Sequence, residues 1–163
     1  MDVQRVLTGQ AAPLRALRLR ALREDPDAFG STLARETDFP DEYWQRWAAD
    51  SDAGEHWVVF VASAPEWVGM AAGFLDSDRP GVACLGGMWI DSAFRCRGLG
   101  GQLLDAILDW AVTRGATIIE LSVTESNAAA ERLYSRAGFT ETGLREPLDN
   151  ERALTKSLMT RKL

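Results

Sequence analysis

Apolar residues in this chain recur at two spacings, and the switch between them divides it. From Ala11 to Asp25, AAPLRALRLRALRED sets Leu14, Leu17, Ala21 and Leu22 at helical spacing, with Arg15, Arg18 and Arg23 between them, until Asp25-Pro26 breaks the pattern. That spacing predicts an amphipathic helix whose arginines face outward, on a solvated face or towards an anionic ligand. Before it, DVQRVLT (residues 2–8) alternates weakly and suits a short strand. After it, DPDAFGSTLARETDFP has no period and reads as irregular, and DEYWQRWAAD reads as a short helix opened by Pro40-Asp41. Tyr43, Trp44 and Trp47 in that helix either line a substrate cleft or simply pack the core, since aromatic rings bury a large area in both settings.

From His56 the period shortens. HWVVFVA, EWVGMAAGFLD and VACLGGMWI are β-rich runs separated by SAP and DSDRPG, short polar turns that predict an antiparallel meander. Gly86-Gly87 inside the third run predicts a bulge or a close backbone approach. Residues 99–115, LGGQLLDAILDWAVTRG, then place Leu99, Leu103, Ile107 and Ala111 on one stripe, with Leu104 and Leu108 beside it and Gly115 as the stop. This helix leads into the strand TIIELSV, so residues 82 to 123 form a βαβ unit with parallel strands. SNAAAERLYSRAGF follows as a helix with Ala130, Leu133, Tyr134 and Ala137 on one face, closed by Gly138. FTETGLREPL and RALTKSLMTRKL complete the chain as two strands with Pro147 to Asn150 between them. The expected fold is α/β, a mixed sheet with helices on its faces.

A length of 163 residues fits one domain over residues 1–163, with 46% hydrophobic and 26% charged residues in the globular range. The net charge of −6 argues against nucleic acid as a partner, because phosphates require a positive footprint. Two cysteines, Cys84 and Cys96, and one histidine, His56, supply neither a disulfide framework nor a zinc site, so a reducing cytoplasm and no metal are expected. The opening MDVQRVLTG lacks a signal-peptide core, and no run reaches the ~18 apolar residues of a membrane span.

RCRGLGG, residues 95–101, packs two arginines and three glycines between a strand and a helix, the makings of an anion cradle. A nucleotide P-loop needs a GK pair, and none occurs. A dinucleotide fingerprint begins at Gly98-Leu99-Gly100, and Glu120 stands about twenty residues on, where a ribose-binding acid would sit, but the third glycine position falls on Leu103. The remaining pattern is RxxGxG, Arg95 to Gly100, inside MWIDSAFRCRGLGGQLL.

That segment resembles the acyl-CoA-binding motif of the GNAT superfamily of N-acyltransferases. A companion pattern of the same superfamily, NxxAxxLYxxxGF, is matched by Asn127, Ala130, Leu133, Tyr134, Gly138 and Phe139. LREDPDAFGST is similar, more weakly, to the first helix and exit loop of bacterial members, so the resemblance covers most of the chain. It implies a mostly antiparallel sheet with one splayed parallel pair and helices on both faces. It further implies acetyl-CoA as co-substrate, held by backbone N–H groups from Cys96 through Arg97, Gly98, Leu99, Gly100 and Gly101 to Gln102, with Arg95 and Arg97 adding charge. The strand edge at Trp89 and Ile90 would pair with the pantetheine arm, and an N–H near Ile90 would serve the oxyanion. Tyr134 is either the general acid for the leaving thiolate or a core tyrosine. Asn127 either bonds the cofactor or caps its helix.

The expected activity is transfer of an acetyl group to a primary amine by direct attack, with a small-molecule or peptide acceptor. Glu36, Glu42 and Glu120 are candidate bases, with ordered water as the alternative. A homodimer is compatible with the resemblance, and neither nucleic acid nor membrane is expected as a partner. Two other functions stay open: a non-catalytic acyl-CoA-binding module, and a dinucleotide-dependent oxidoreductase.

Overall fold

The structure, a computed structural model, describes residues 2–149 and 152–163. Its strands are β1 (Asp2–Arg5), β2 (Trp57–Ser63), β3 (Trp67–Leu75), β4 (Val82–Ile90), β5 (Ile118–Thr124), β6 (Thr140–Pro147) and β7 (Thr155–Lys162). Its helices are α1 (Ala11–Glu24), α2 (Leu33–Thr37), α3 (Asp41–Ala53), α4 (Leu99–Thr113) and α5 (Ala128–Arg136). The strands form one seven-stranded sheet in the order β1-β2-β3-β4-β5-β7-β6. Every neighbouring pair is antiparallel except β4 and β5, which run parallel as the βαβ pattern predicts.

Both faces of this mixed α/β sheet are covered. On one, Leu99, Leu103, Leu104, Ile107 and Trp110 of α4 pack against Leu85, Ile119 and Leu121, with Tyr134 and Phe139 joining from α5 and the turn after it. On the other, Leu14, Leu17 and Leu22 of α1 meet Val59, Val61, Met70 and Trp89. Burial on both sides explains why β2 and β3 read as continuous apolar runs instead of alternating ones. Leu103 and Ile107 are fully buried, each contributing about 1.5–3 kcal/mol of transfer free energy. Buried Ser51 of α3 ties this layer to the strands: its hydroxyl donates to the Val6 carbonyl and accepts from Val59 N–H, both at 2.9 Å.

Four expectations are corrected. The first strand stops at Arg5. The stretch after α1 is not wholly irregular: a 3-10 turn runs over Pro26–Ala28, and α2 is capped by the Thr32 hydroxyl, which accepts from Arg35 N–H at 3.1 Å. α3 extends to Ala53, where Gly54 ends it. Arg18 does not face outward; it turns in against the buried Glu36. The expected turn from Pro147 to Asn150 lies partly outside the described residues: Pro147 ends β6, and Asn150 is not described. No helix among the described residues is long and apolar enough to cross a membrane.

Candidate functional site

β4 and β5 pair over four positions, from Val82↔Ile118 to Leu85↔Leu121, and then separate. From there β4 pairs with no strand but β3 among the described residues, and its register shifts, with Ala72 opposite Gly86 and Met70 opposite Trp89. Gly87 sits at that bulge with φ +62°, a left-handed conformation that a residue bearing a Cβ adopts only under strain, so the Gly86-Gly87 pair marks a bulge as predicted. Asp91 N–H donates to the Val68 carbonyl on β3 at 2.8 Å. By alternation the peptide groups of Ile90 turn the other way, into the gap between β4 and β5.

The loop beyond β4 is built to leave donors free. Asp91 closes a 3-10 turn by accepting from Ala93 N–H at 2.9 Å. Cys96 (φ +59°) and Gly98 (φ +82°) then turn the chain into α4, which has no side-chain cap. As a result the N–H groups of six consecutive residues, Cys96 to Gly101, donate to no acceptor among the described residues. Such a nest at a helix N-terminus, with the helix dipole behind it, has the donors and the positive field that an anion requires. It opens on a cleft of about 820 Å³ bounded by the end of β4, the loop, the start of α5 and the exit of α1.

Of the residues expected from sequence, Trp89, Ile90, Arg95, Cys96, Gly98, Leu99, Gly100, Gly101 and Asn127 line this cleft, whereas Arg97, Gln102 and Tyr134 do not. The free run of donors ends one residue earlier than expected, because Gln102 N–H donates to the Gly98 carbonyl at 3.1 Å as the first intrahelical bond. The arginine side chains are directed to partners outside the run of free N–H groups. Arg95 points back, with Nε donating to the Ile90 carbonyl at 2.9 Å and Nη2 to Asp25. Arg97 lies over the Phe94 ring at 5.3 Å. Asn127 is the helix cap, its Oδ1 accepting from Ala130 N–H at 3.1 Å, which leaves its amide NH2 as a donor.

Tyr134 is only 4% exposed and meets Phe139 edge to face at 5.9 Å. Burial pushes its phenol well above the ordinary value of 10.0, so it stays protonated at physiological pH. The linkage has a definite sign. An unfolded chain ionises this phenol near pH 10 and the folded one does not, so stability is full below that pH and falls above it. The unfolding free energy is therefore expected to drop from about pH 10 upward, by at most about 1.4 kcal/mol per pH unit, and Tyr134→Phe to flatten that drop in urea melts.

None of the three candidate bases lines the cleft. Glu120 is held by Arg79 at 3.1 and 2.8 Å, an arginine that also pairs with Asp76. Glu36 is held by Arg18 at 2.9 and 2.7 Å, and Glu42 is exposed. The aromatics of α3 form a packed ladder, Trp44 to Trp47 at 5.7 Å and Trp47 to Trp57 at 6.2 Å, away from the cleft lining. Asp25, in contrast, lines the cleft and binds both Trp89 and Arg95, a role its sequence neighbours do not announce beyond the helix-ending Asp-Pro.

The model of the Acetyltransferase (GNAT) family matches residues 19–139, a stretch that holds the gap, the cradle and α5. The chain belongs to the GNAT family. Among curated relatives it is 45% identical over 56 residues to the ribosomal protein bS18 alanine N-acetyltransferase of Salmonella typhimurium, 34% of this chain and 38% of that protein. The chain thus spans well under half the length of that relative. Among solved structures, the GNAT acetyltransferase of Streptococcus pneumoniae superposes with a TM-score of 0.82 at 21% identity, covering 99% of this chain and 98% of that one. A Salmonella typhimurium structure solved with its cofactor acetyl-CoA superposes with a TM-score of 0.80 at 19% identity, over 100% and 94% of the two chains. At these identities the likeness establishes the GNAT fold.

Proposed function

We propose that residues 1–163 act as one domain that transfers an acetyl group from acetyl-CoA to a primary amine, by direct attack in a ternary complex. The observation that carries this is the run of six free N–H groups, Cys96 to Gly101, at the mouth of the gap between β4 and β5. These donors suit a pyrophosphate, and the Asn127 amide stands across the cleft as a further donor. The β4 edge beyond Leu85, bonded on one side only, suits the amides of pantetheine, as a peptide adds to a sheet.

With the thioester in the gap, a neutral amine attacks its carbonyl carbon, the Ile90 N–H stabilises the oxyanion, and collapse breaks the C–S bond. The thiolate takes a proton from Tyr134, and the proton shed by the attacking nitrogen passes through ordered water to restore the phenol, which burial keeps protonated between turnovers. The acceptor class includes peptide amines, because the ribosomal-protein relative is named for an alanine. A cytoplasmic setting, where acetyl-CoA is present, agrees with two free cysteines. A second function, non-catalytic acyl-CoA binding, is favoured by one observation: Tyr134 does not line the cleft.

Thiol release from acetyl-CoA with a panel of amines separates the two. Turnover that falls about 100-fold or more in Tyr134→Phe, with acetyl-CoA still bound, supports the transferase. Binding without turnover on any amine supports the module, and absence of acetyl-CoA binding overturns both.

A further inference from the structure

Past Leu85 and Leu121 no strand pairing joins β4 to β5, yet one short segment holds both. Asp25 Oδ2 accepts from the indole Nε1 of Trp89 at 2.6 Å and from Nη2 of Arg95. Two residues later, the carbonyl of Asp27 accepts from Thr124 Oγ1 at 2.7 Å, at the end of β5. The exit of α1 therefore straps across the gap, with Pro26 between its two holds.

The strap also reaches the cradle. Arg95 immediately precedes the first free N–H, and its guanidinium ties the end of β4 to Asp25: Nε to the Ile90 carbonyl at 2.9 Å, Nη2 to the carboxylate. Between the turn at Asp91 and the helical bond of Gln102, the only backbone–backbone bond that the loop after Phe94 makes among the described residues is Arg95 N–H to the Ser92 carbonyl, at 3.4 Å. The Arg95 side chain makes the shortest ties on that stretch. Charge-assisted hydrogen bonds are shorter and stronger than neutral ones, and donors fixed before binding cost no ordering when the ligand arrives.

We infer that Asp25 is a positioning residue for acyl-CoA, acting through Arg95 to fix the cradle against the end of β4. This rests on the acyl-CoA reading of the cleft proposed above. Its Oδ2 is taken up by Trp89 and Arg95, so its effect is on the geometry of the donors.

The test is a double-mutant cycle read by calorimetric titration of acetyl-CoA into wild type, Asp25→Ala, Arg95→Ala and the double variant, with melting curves alongside. Each single variant is expected to weaken acetyl-CoA binding about tenfold, and the double to be no more than about twofold weaker than either, because the two residues act as one unit. The KM for acetyl-CoA should follow the Kd while kcat at saturation changes less than about twofold. Asp25→Asn, which keeps an acceptor oxygen, should recover part of the loss. A merely structural Asp25 would lower the melting temperature and leave the Kd of the folded protein unchanged. That result, or losses that multiply in the double variant, overturns the inference. If Asp25→Ala does not fold, the cycle is run with Asp25→Asn, for which a smaller loss is expected and the double variant should be no more than about twofold weaker than Arg95→Ala. Failure of wild type to bind acetyl-CoA would overturn the parent reading and this inference together, whereas wild-type binding with an unaltered Asp25 variant overturns this one alone.

Discussion

Gly101→Glu is expected to abolish acetyl-CoA binding while leaving the fold as stable as wild type or more so. A Cβ at Gly101 meets no atom within 4 Å, and the residue lies in the first turn of α4, lining the cleft. Replacing glycine in a helix gains several tenths of a kcal/mol from reduced backbone entropy, and an acidic side chain near the helix N-terminus adds about 0.3–1 kcal/mol. The same carboxylate competes with the pyrophosphate for the free N–H groups and repels it. At an effective dielectric constant near 20, like charges about 4 Å apart interact by roughly 4 kcal/mol, so a loss of about 100-fold or more in affinity is expected after screening. A melting curve and a titration with acetyl-CoA read the two effects separately. Tight binding by a folded Gly101→Glu protein would mean that the pyrophosphate does not sit on this cradle.

Removal of the Glu36 carboxylate should be the costliest single change outside the apolar core. Arg18 and Glu36 are 11% and 6% exposed at their side chains, and both guanidinium donors that face Glu36 are within 2.9 Å of its oxygens. The Phe29 ring lies under the guanidinium at 4.6 Å. Glu36→Ala therefore strands a buried cation with no counter-charge, and breaking such a pair costs about 3–5 kcal/mol. Replacing both residues with leucine removes the charge and its partner together, and should recover most of that loss, because burying an ion pair is itself expensive. Urea unfolding midpoints of the two variants measure this directly. A Glu36→Ala protein within about 1 kcal/mol of wild type would show that water reaches Arg18.

Much of this arrangement is legible in the chain because it is local. The stripe of Leu99, Leu103 and Ile107, the turn glycine at 98 and the Gly86-Gly87 bulge all follow from spacing within a few residues. What escapes the sequence is long-range. Asp25 meets Trp89 and Arg95 across 64 and 70 residues, and Arg18 meets Glu36 across 18, so an arginine that looks solvent-facing by period is in fact turned in and half-buried. α2 is too short, at five residues, to show a helical period at all. The orientation of Arg95 was equally hidden: its place in the motif suggests an anion contact, and only the return of the α1 exit to β4 reveals a carboxylate waiting there.

The four-residue parallel joint between β4 and β5 also has a mechanical meaning. The antiparallel strands on either side of it are stitched along most of their length, seven register pairs for β2–β3 and seven for β5–β7, so each part of the sheet is stiff. The two halves of the sheet therefore meet through few strand bonds, and α4 packs chiefly on the β1–β4 half and not astride the joint. The strap of Asp25 to Asp27 clasps the open side, so the width of the cleft is set by side-chain bonds to one short segment and not by the sheet's own ladder.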